Sequence, residues 1–150
     1  MSTYVSAELR RQVATRADGL CEYGLIHERD TILGCTVDHI VSEKHSGPTA
    51  AENLAFACAP CNRAKGSDVG SLVAGCNAFV RFFNPRADRW SEHFQLDGVH
   101  IKPLTPIGVA TTQILGMNRS ERIEERRALI AAGKYPCPEA ASRITREEPT

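Results

Sequence analysis

Apolar residues recur along this chain with two periods, and the changes between them mark its elements. From Ser6 to Ala17 the apolar positions Leu9, Val13 and Ala17 fall every fourth residue, with Arg10, Arg11 and Arg16 elsewhere. That spacing predicts an amphipathic helix, ended by Gly19, with Cys21 at the start of a loop. Cys35-Thr36-Val37-Asp38-His39-Ile40-Val41 is short and β-branched, as in a strand running into a loop at His45-Ser46-Gly47-Pro48. Thr49 with Glu52 three residues on has the form of a capping box and predicts one helical turn ending near Asn53. A second strand then carries Leu54 and Phe56 on one face and Ala55 and Ala57 on the other. Pro60 opens a helix with Asn62, Arg63 and Lys65 on its first turns.

Farther on, Phe94-Gln95-Leu96-Asp97-Gly98-Val99-His100-Ile101 sets an Asp-Gly pair between alternating apolar residues. It predicts a hairpin with Phe94, Leu96, Val99 and Ile101 on one face. Thr105 caps a helix with Pro106 at its first position and Ile107, Ala110, Ile114 and Leu115 as its stripe, stopped by Gly116. Asn118 and Glu121 open a last helix, through Ile123 and Ile130 to Gly133. The pattern reads as α+β, with no internal repeat and no linker rich in Gly, Ser or Pro.

Composition changes this picture little. With 150 residues, 42% apolar and 24% charged, one globular unit is expected, with a polar tail from Thr145 to Thr150. No stretch is long and apolar enough for a bilayer, and Met1-Ser2-Thr3 lacks the features of a signal peptide, so a cytoplasmic protein without membrane contact is expected. There the six cysteines, Cys21, Cys35, Cys58, Cys61, Cys76 and Cys137, are expected to bind metal or stay reduced. Cys35, Cys76 and Cys137 read as buried or unreactive thiols. A formal charge of zero means that attraction to nucleic acid has to come from a local basic surface or a bound cation.

The densest chemistry lies in Val37-Asp38-His39-Ile40, Glu52-Asn53-Leu54 and Cys58-Ala59-Pro60-Cys61-Asn62-Arg63, in that order. An imidazole titrates near neutrality and suits a general base, while carboxylate and amide oxygens suit Mg²⁺ or Mn²⁺. Lys44, His45, Arg63 and Lys65 flank the motif and are expected to contact phosphates. His93 and His100 read as structural, and Trp90 as a core anchor that could otherwise stack on a base.

The three blocks together resemble the HNH endonucleases, whose core is a ββα-metal unit, and Phe83-Asn84-Pro85-Arg86, Trp90 and His93-Phe94 resemble the extension of small bacterial HNH proteins. The resemblance implies an HNH nuclease core at 20–68, an extension packed on it at 76–140 and a flexible tail at 141–150. It also implies a metal-dependent enzyme that hydrolyses DNA phosphodiesters and leaves a 5′-phosphate. In that reading His39 is the general base, Asp38 and Asn62 hold one catalytic Mg²⁺ or Mn²⁺, and Asn53 fixes the loop. A homodimer or a partner protein stays open.

The same resemblance expects a zinc knuckle from two Cys-x-x-Cys pairs, but Gly24 stands where the fourth sulfur belongs. Cys21, Cys58 and Cys61 could hold zinc with help from His27, Cys35 or water, or the site could be empty, which leaves a structural Zn²⁺ in doubt. Two other functions compete with the nuclease. One is a catalytically silent or partner-dependent nucleic-acid-binding module on the same fold, suggested by the zero net charge and Gly24. The other is a thiol oxidoreductase using Cys58-x-x-Cys61, which would leave Asp38, His39 and Asn53 unexplained.

Overall fold

Ser6 sets the first element. Its Oγ accepts the amide of Leu9 at 3.1 Å and starts helix α1 (Ala7–Arg16), in a computed structural model that describes residues 4–145. Gly19, at φ +74°, takes the left-handed conformation just past the helix end, where a residue with a Cβ is strained. A tight turn follows from Cys21 to Ile26, closed by the amides of Cys21 on the Ile26 carbonyl and of Leu25 on the Cys21 carbonyl.

Strand β1 (Cys35–His39) pairs antiparallel with β2 (Leu54–Cys58), Cys35 opposite Cys58 and His39 opposite Leu54. Helix α2 (Ala59–Lys65) follows β2 without a break, with Pro60 in its first turn. All five residues of β2 are buried, because α1 and α2 both pack against it. A fully apolar strand covered on both faces is what Leu-Ala-Phe-Ala-Cys supports.

The remainder adds two more hairpins and four helices. Strands β3 (Gly70–Val73) and β4 (Ala78–Arg81) pair, then come α3 (Trp90–His93), β5 (Phe94–Asp97) with β6 (His100–Pro103), α4 (Pro106–Ile114), α5 (Ser120–Ala131) and α6 (Ala141–Ile144). Helix α4 starts as its sequence implies, Thr105 accepting the Gly108 amide at 3.1 Å, and it packs on β3, β4 and β6. Val13, Phe56, Phe83, Phe94, Ile101 and Met117 belong to one buried apolar cluster, so residues from the first hairpin and from the C-terminal elements share a core. Trp90 is a core residue, its indole N–H donating to the Tyr23 carbonyl at 2.8 Å.

Several expectations change. The hairpin β3–β4 was not anticipated, and β1 ends at His39 rather than Val41. Asp97 pairs with His100, so the two-residue turn is Gly98-Val99, one position later than the Asp-Gly pair suggested, and Val99 leaves the strand face. The capping box at Thr49 does not form, and neither does a cap at Asn118. The turn Ala51–Asn53 has Ala50 at its N-cap, and α5 has Arg119. Asn118 instead brackets Ile101, accepting its amide at 2.9 Å and donating to its carbonyl at 2.8 Å. The segment expected as a tail from residue 141 begins with α6, whose Arg143 reaches the Asp18 carboxylate at 2.9 Å; residues 146–150 lie outside the described residues. Cys76 is exposed, so of the two readings given to it, buried or unreactive, burial does not hold.

Among the described residues, Arg126 on α5 is the largest fully buried side chain. It donates to the carbonyls of Val99 (2.7 Å) and Met117 (2.6 Å) and to Asn118 Oδ1 (3.1 Å), which ties α5 to the β5–β6 hairpin. Arg126→Met should therefore lower the unfolding free energy by about 3 kcal/mol, because one buried and two part-buried acceptors lose a charged donor. The neighbouring Arg127→Met, at a side chain 59% exposed, should change it by less than about 0.5 kcal/mol. Urea denaturation of the two variants beside the parent protein checks the contrast.

Candidate functional site

The end of β1 and the loop after it are built around one buried amide. Asn53 accepts the amide of Val41 at 3.0 Å and donates to the carbonyls of Val41 and Pro48, both at 2.8 Å. Its own carbonyl takes the Ile40 amide at 2.8 Å, so the chain on both sides of the loop is stapled to this residue. Gly47 is required by the same closure, since a Cβ there would stand 1.7 Å from the Val41 carbonyl oxygen.

His39 sits where β1 ends, and its ring is held from the loop. Nε2 lies 2.7 Å from Thr49 Oγ1 and 3.7 Å from Glu43 Oε1, and the Thr49 hydroxyl donates to Glu43 Oε1 at 3.3 Å. A hydroxyl that gives its proton to the carboxylate accepts one from the ring, which places the imidazole hydrogen on Nε2 and leaves Nδ1 with a lone pair. Thr49 and Glu43 are functional candidates that sequence reading missed. Thr49 was read as a helix cap, and only the His39 contact reveals its other use.

Asp38 and Lys65 form the second half of the site. Lys65 Nζ lies 3.1 Å from Asp38 Oδ2 and donates to the His39 carbonyl at 2.9 Å, so the end of α2 grips the end of β1. Lys65 is 2% exposed, which corrects its expected role as a phosphate contact; it is a buried counter-charge to Asp38. Burial raises the Asp38 pKa above the ordinary carboxylate value, and the Lys65 charge opposes that rise. Asp38 Oδ2 is buried and apart from this ion pair has no hydrogen-bond partner. Asn62 is half-buried on α2, the same short helix. A carboxylate oxygen and an amide oxygen are ligand types that suit a hard divalent cation. Lys44, His45 and Arg63 are exposed, with Lys44 and His45 in the short turn Glu43–His45 and Arg63 on α2.

A separate cluster lies at the opposite end of the β1–β2 hairpin. The sulfurs of Cys21, Cys58 and Cys61 all lie within 4.8 Å of one another, and all three residues are buried. Such a group could hold a metal. The Gly24 amide lies 3.5 Å from Cys21 Sγ, and Arg122 Nη2 of α5 donates to Cys58 Sγ at 3.4 Å. Hydrogen bonds from Cys21 and Cys61, helped by the Arg122 charge, hold the Cys58 thiol well below its usual pKa, while sharing with Cys58 raises Cys21 and sharing with Cys21 raises Cys61. Burial works against the Arg122 charge, but the sulfurs of Cys61 and Cys58 outweigh it and raise the guanidinium pKa. All six cysteines are free, and Cys58 and Cys61 lie inside the core, away from any disulfide with which they would exchange.

Among the described residues no helix is long and apolar enough to cross a membrane. The family model described as HNH endonuclease matches residues 21–68, a span that starts at the first clustered cysteine and ends three residues after Lys65. No curated protein and no solved structure matches the chain. The matched span takes in β1, β2, α2, Asn53 and His39, in the order in which the sequence presents its three blocks. This chain therefore carries an HNH-family domain in residues 21–68.

Proposed function

We propose that the chain is a metal-dependent endonuclease that hydrolyses phosphodiester bonds in DNA on a ββα-metal core at residues 20–68, with residues 76–140 as an extension packed on that core. The observation that carries this reading is the pair at the end of β1: His39 with its Nε2 held by Thr49, next to Asp38, whose buried Oδ2 is paired with Lys65. Members of the HNH family are usually nucleases, which agrees with it.

His39 acts as general base through Nδ1, taking a proton from the attacking water, while Thr49 and Glu43 hold the opposite side of the ring and steady the imidazolium that results. Asp38 and Asn62 would hold the cation, Mg²⁺ or Mn²⁺ by the hardness of their oxygens. Bound there, that ion supplies positive charge to the phosphate oxygens and the departing alkoxide. Lys65 steadies Asp38 and the His39 backbone from beneath, and Asn53 keeps the loop shut. Lys44, His45 and Arg63 are exposed around the site and suit contacts to the DNA backbone.

The test is cleavage of supercoiled plasmid and single-stranded DNA with Mg²⁺, Mn²⁺ or EDTA. His39→Ala should lower turnover at least about a hundredfold while DNA binding persists. Thr49→Val should lower it about tenfold through loss of ring orientation, with Thr49→Ser restoring most of the rate. Asn62→Ala should move the cation titration to higher concentration. Cleavage that ignores both EDTA and His39 would refute the mechanism, and no cleavage under any condition would favour a nucleic-acid-binding module.

Asn53→Ala removes three side-chain hydrogen bonds at once. It should cost about 3 kcal/mol of stability and lower activity in parallel. Full activity in an Asn53→Ala protein of normal stability would remove its positioning role.

A further inference from the structure

A closed structural metal site takes four donors, and the cysteine cluster has three sulfurs. Neither substitute that the sequence offers reaches it. The His27 ring lies over Gly19, where a Cβ would sit 2.4 Å from Nε2, and its Nδ1 accepts the Arg29 amide at 3.1 Å. Cys35 faces Cys58 in the strand register, yet its sulfur does not join the three that lie within 4.8 Å. The side chain that does reach is Arg122, 6% exposed, with Nη2 3.4 Å from Cys58 Sγ and 3.5 Å from where a Cβ on Gly24 would stand. A guanidinium has no lone pair to give a metal, and this one occupies the side from which a fourth donor would come.

We propose that Arg122 takes the fourth corner as a fixed cation, so that three sulfurs and one guanidinium form a metal-free lock between α5 and the Cys21–Ile26 turn, and the fold does not depend on zinc. The lock gives one guanidinium nitrogen, Nη2, the Cys58 sulfur and Glu125 Oε1 at 3.5 Å, while Nε and Nη1 are buried without a hydrogen-bond partner. A second set of contacts already does what a metal would do for that turn. The Trp90 indole holds the Tyr23 carbonyl at 2.8 Å, the Tyr135 hydroxyl holds the Gly24 carbonyl at 2.9 Å, and Arg86 pairs with Glu22. Gly24 is not in a left-handed conformation and a Cβ there would meet only Arg122, so the fold does not demand glycine at that position. The proposal stands apart from the nuclease reading, since none of these residues belongs to the His39 site.

The experiment uses the purified full chain, stripped with a strong chelator and then supplied with Zn²⁺ or with Co²⁺ as a spectroscopic probe, and reads metal content, the thiolate-to-cobalt absorption band and the thermal midpoint. The expected result is no stoichiometric zinc, no such band, and a midpoint unmoved by metal or chelator. Arg122→Met should lower the midpoint by about 5–10 °C, and Arg122→Lys should restore part of it. Gly24→Cys combined with Arg122→Ala should bind zinc stoichiometrically and become sensitive to chelator. Stoichiometric zinc in the parent protein, with a midpoint that falls on chelation, would overturn the proposal, as would an Arg122→Met variant as stable as its parent. Should the double variant fail to fold, the parent's metal content and the Arg122→Met midpoint decide the matter without it.

Discussion

The geometry at the end of β1 depends on the Asn53 side chain. A carboxamide has one acceptor and two donors to offer a loop, and Asn53 uses both kinds on the backbone groups of Val41 and Pro48. The consequence reaches beyond the loop. With Val41 fixed to Asn53 and Ile40 bonded to its carbonyl, the strand is held in register against β2, and a slip of one residue would move each of Asp38 and His39 to the face the other now occupies. Lys65 adds a second hold from α2 on the His39 carbonyl, so Asp38 and His39 sit on a segment pinned from both sides.

The turn from Cys21 to Ile26 is held by a different logic. Glu22 works like an extra strand partner: its amide bonds the Phe56 carbonyl and its Oε1 accepts the Phe56 amide, while Arg86 neutralises the carboxylate. A buried charge is tolerated here because both its hydrogen bonds and its counter-charge are in place. The turn is therefore ordered by residues distant in sequence, and the sulfur cluster is one tie among several.

Much of this was legible in the sequence where one local rule governs one element. Ser6 and Thr105 cap helices, Pro60 opens α2 and the β-branched run makes β1, because each signal is satisfied by neighbours in the chain. The order Asp38-His39, Asn53, Cys58-x-x-Cys61-Asn62 marked the HNH segment for the same reason. Reading failed where a polar side chain was claimed by a distant partner. Thr49 and Asn118 both look like caps, but His39 and the Ile101 backbone take them. Lys65 looked like a surface cation until Asp38 buried it. The β3–β4 hairpin escaped because Leu72 and Phe79, which face each other across it, are exposed, so no apolar alternation pointed to a core; its turn, with Gly75 and Asn77 both at positive φ, was the signal available. Arg122 was invisible to spacing, since nothing local to α5 announces a sulfur that lies 64 residues upstream in the chain.

The two carbonyls at the tip of the cysteine turn have consequences for how far a family match can be treated as a piece of protein. Tyr23 and Gly24 give theirs to Trp90 and Tyr135, and Glu22 leans on Arg86, all of which lie past residue 68, where the match ends. The boundary that sequence likeness draws is therefore not where cooperativity stops. A segment cut or grafted at that border would carry the HNH motif intact yet arrive with two orphaned acceptors and an uncompensated carboxylate. What is inherited as a motif is, in this chain, stabilised only as part of a larger unit.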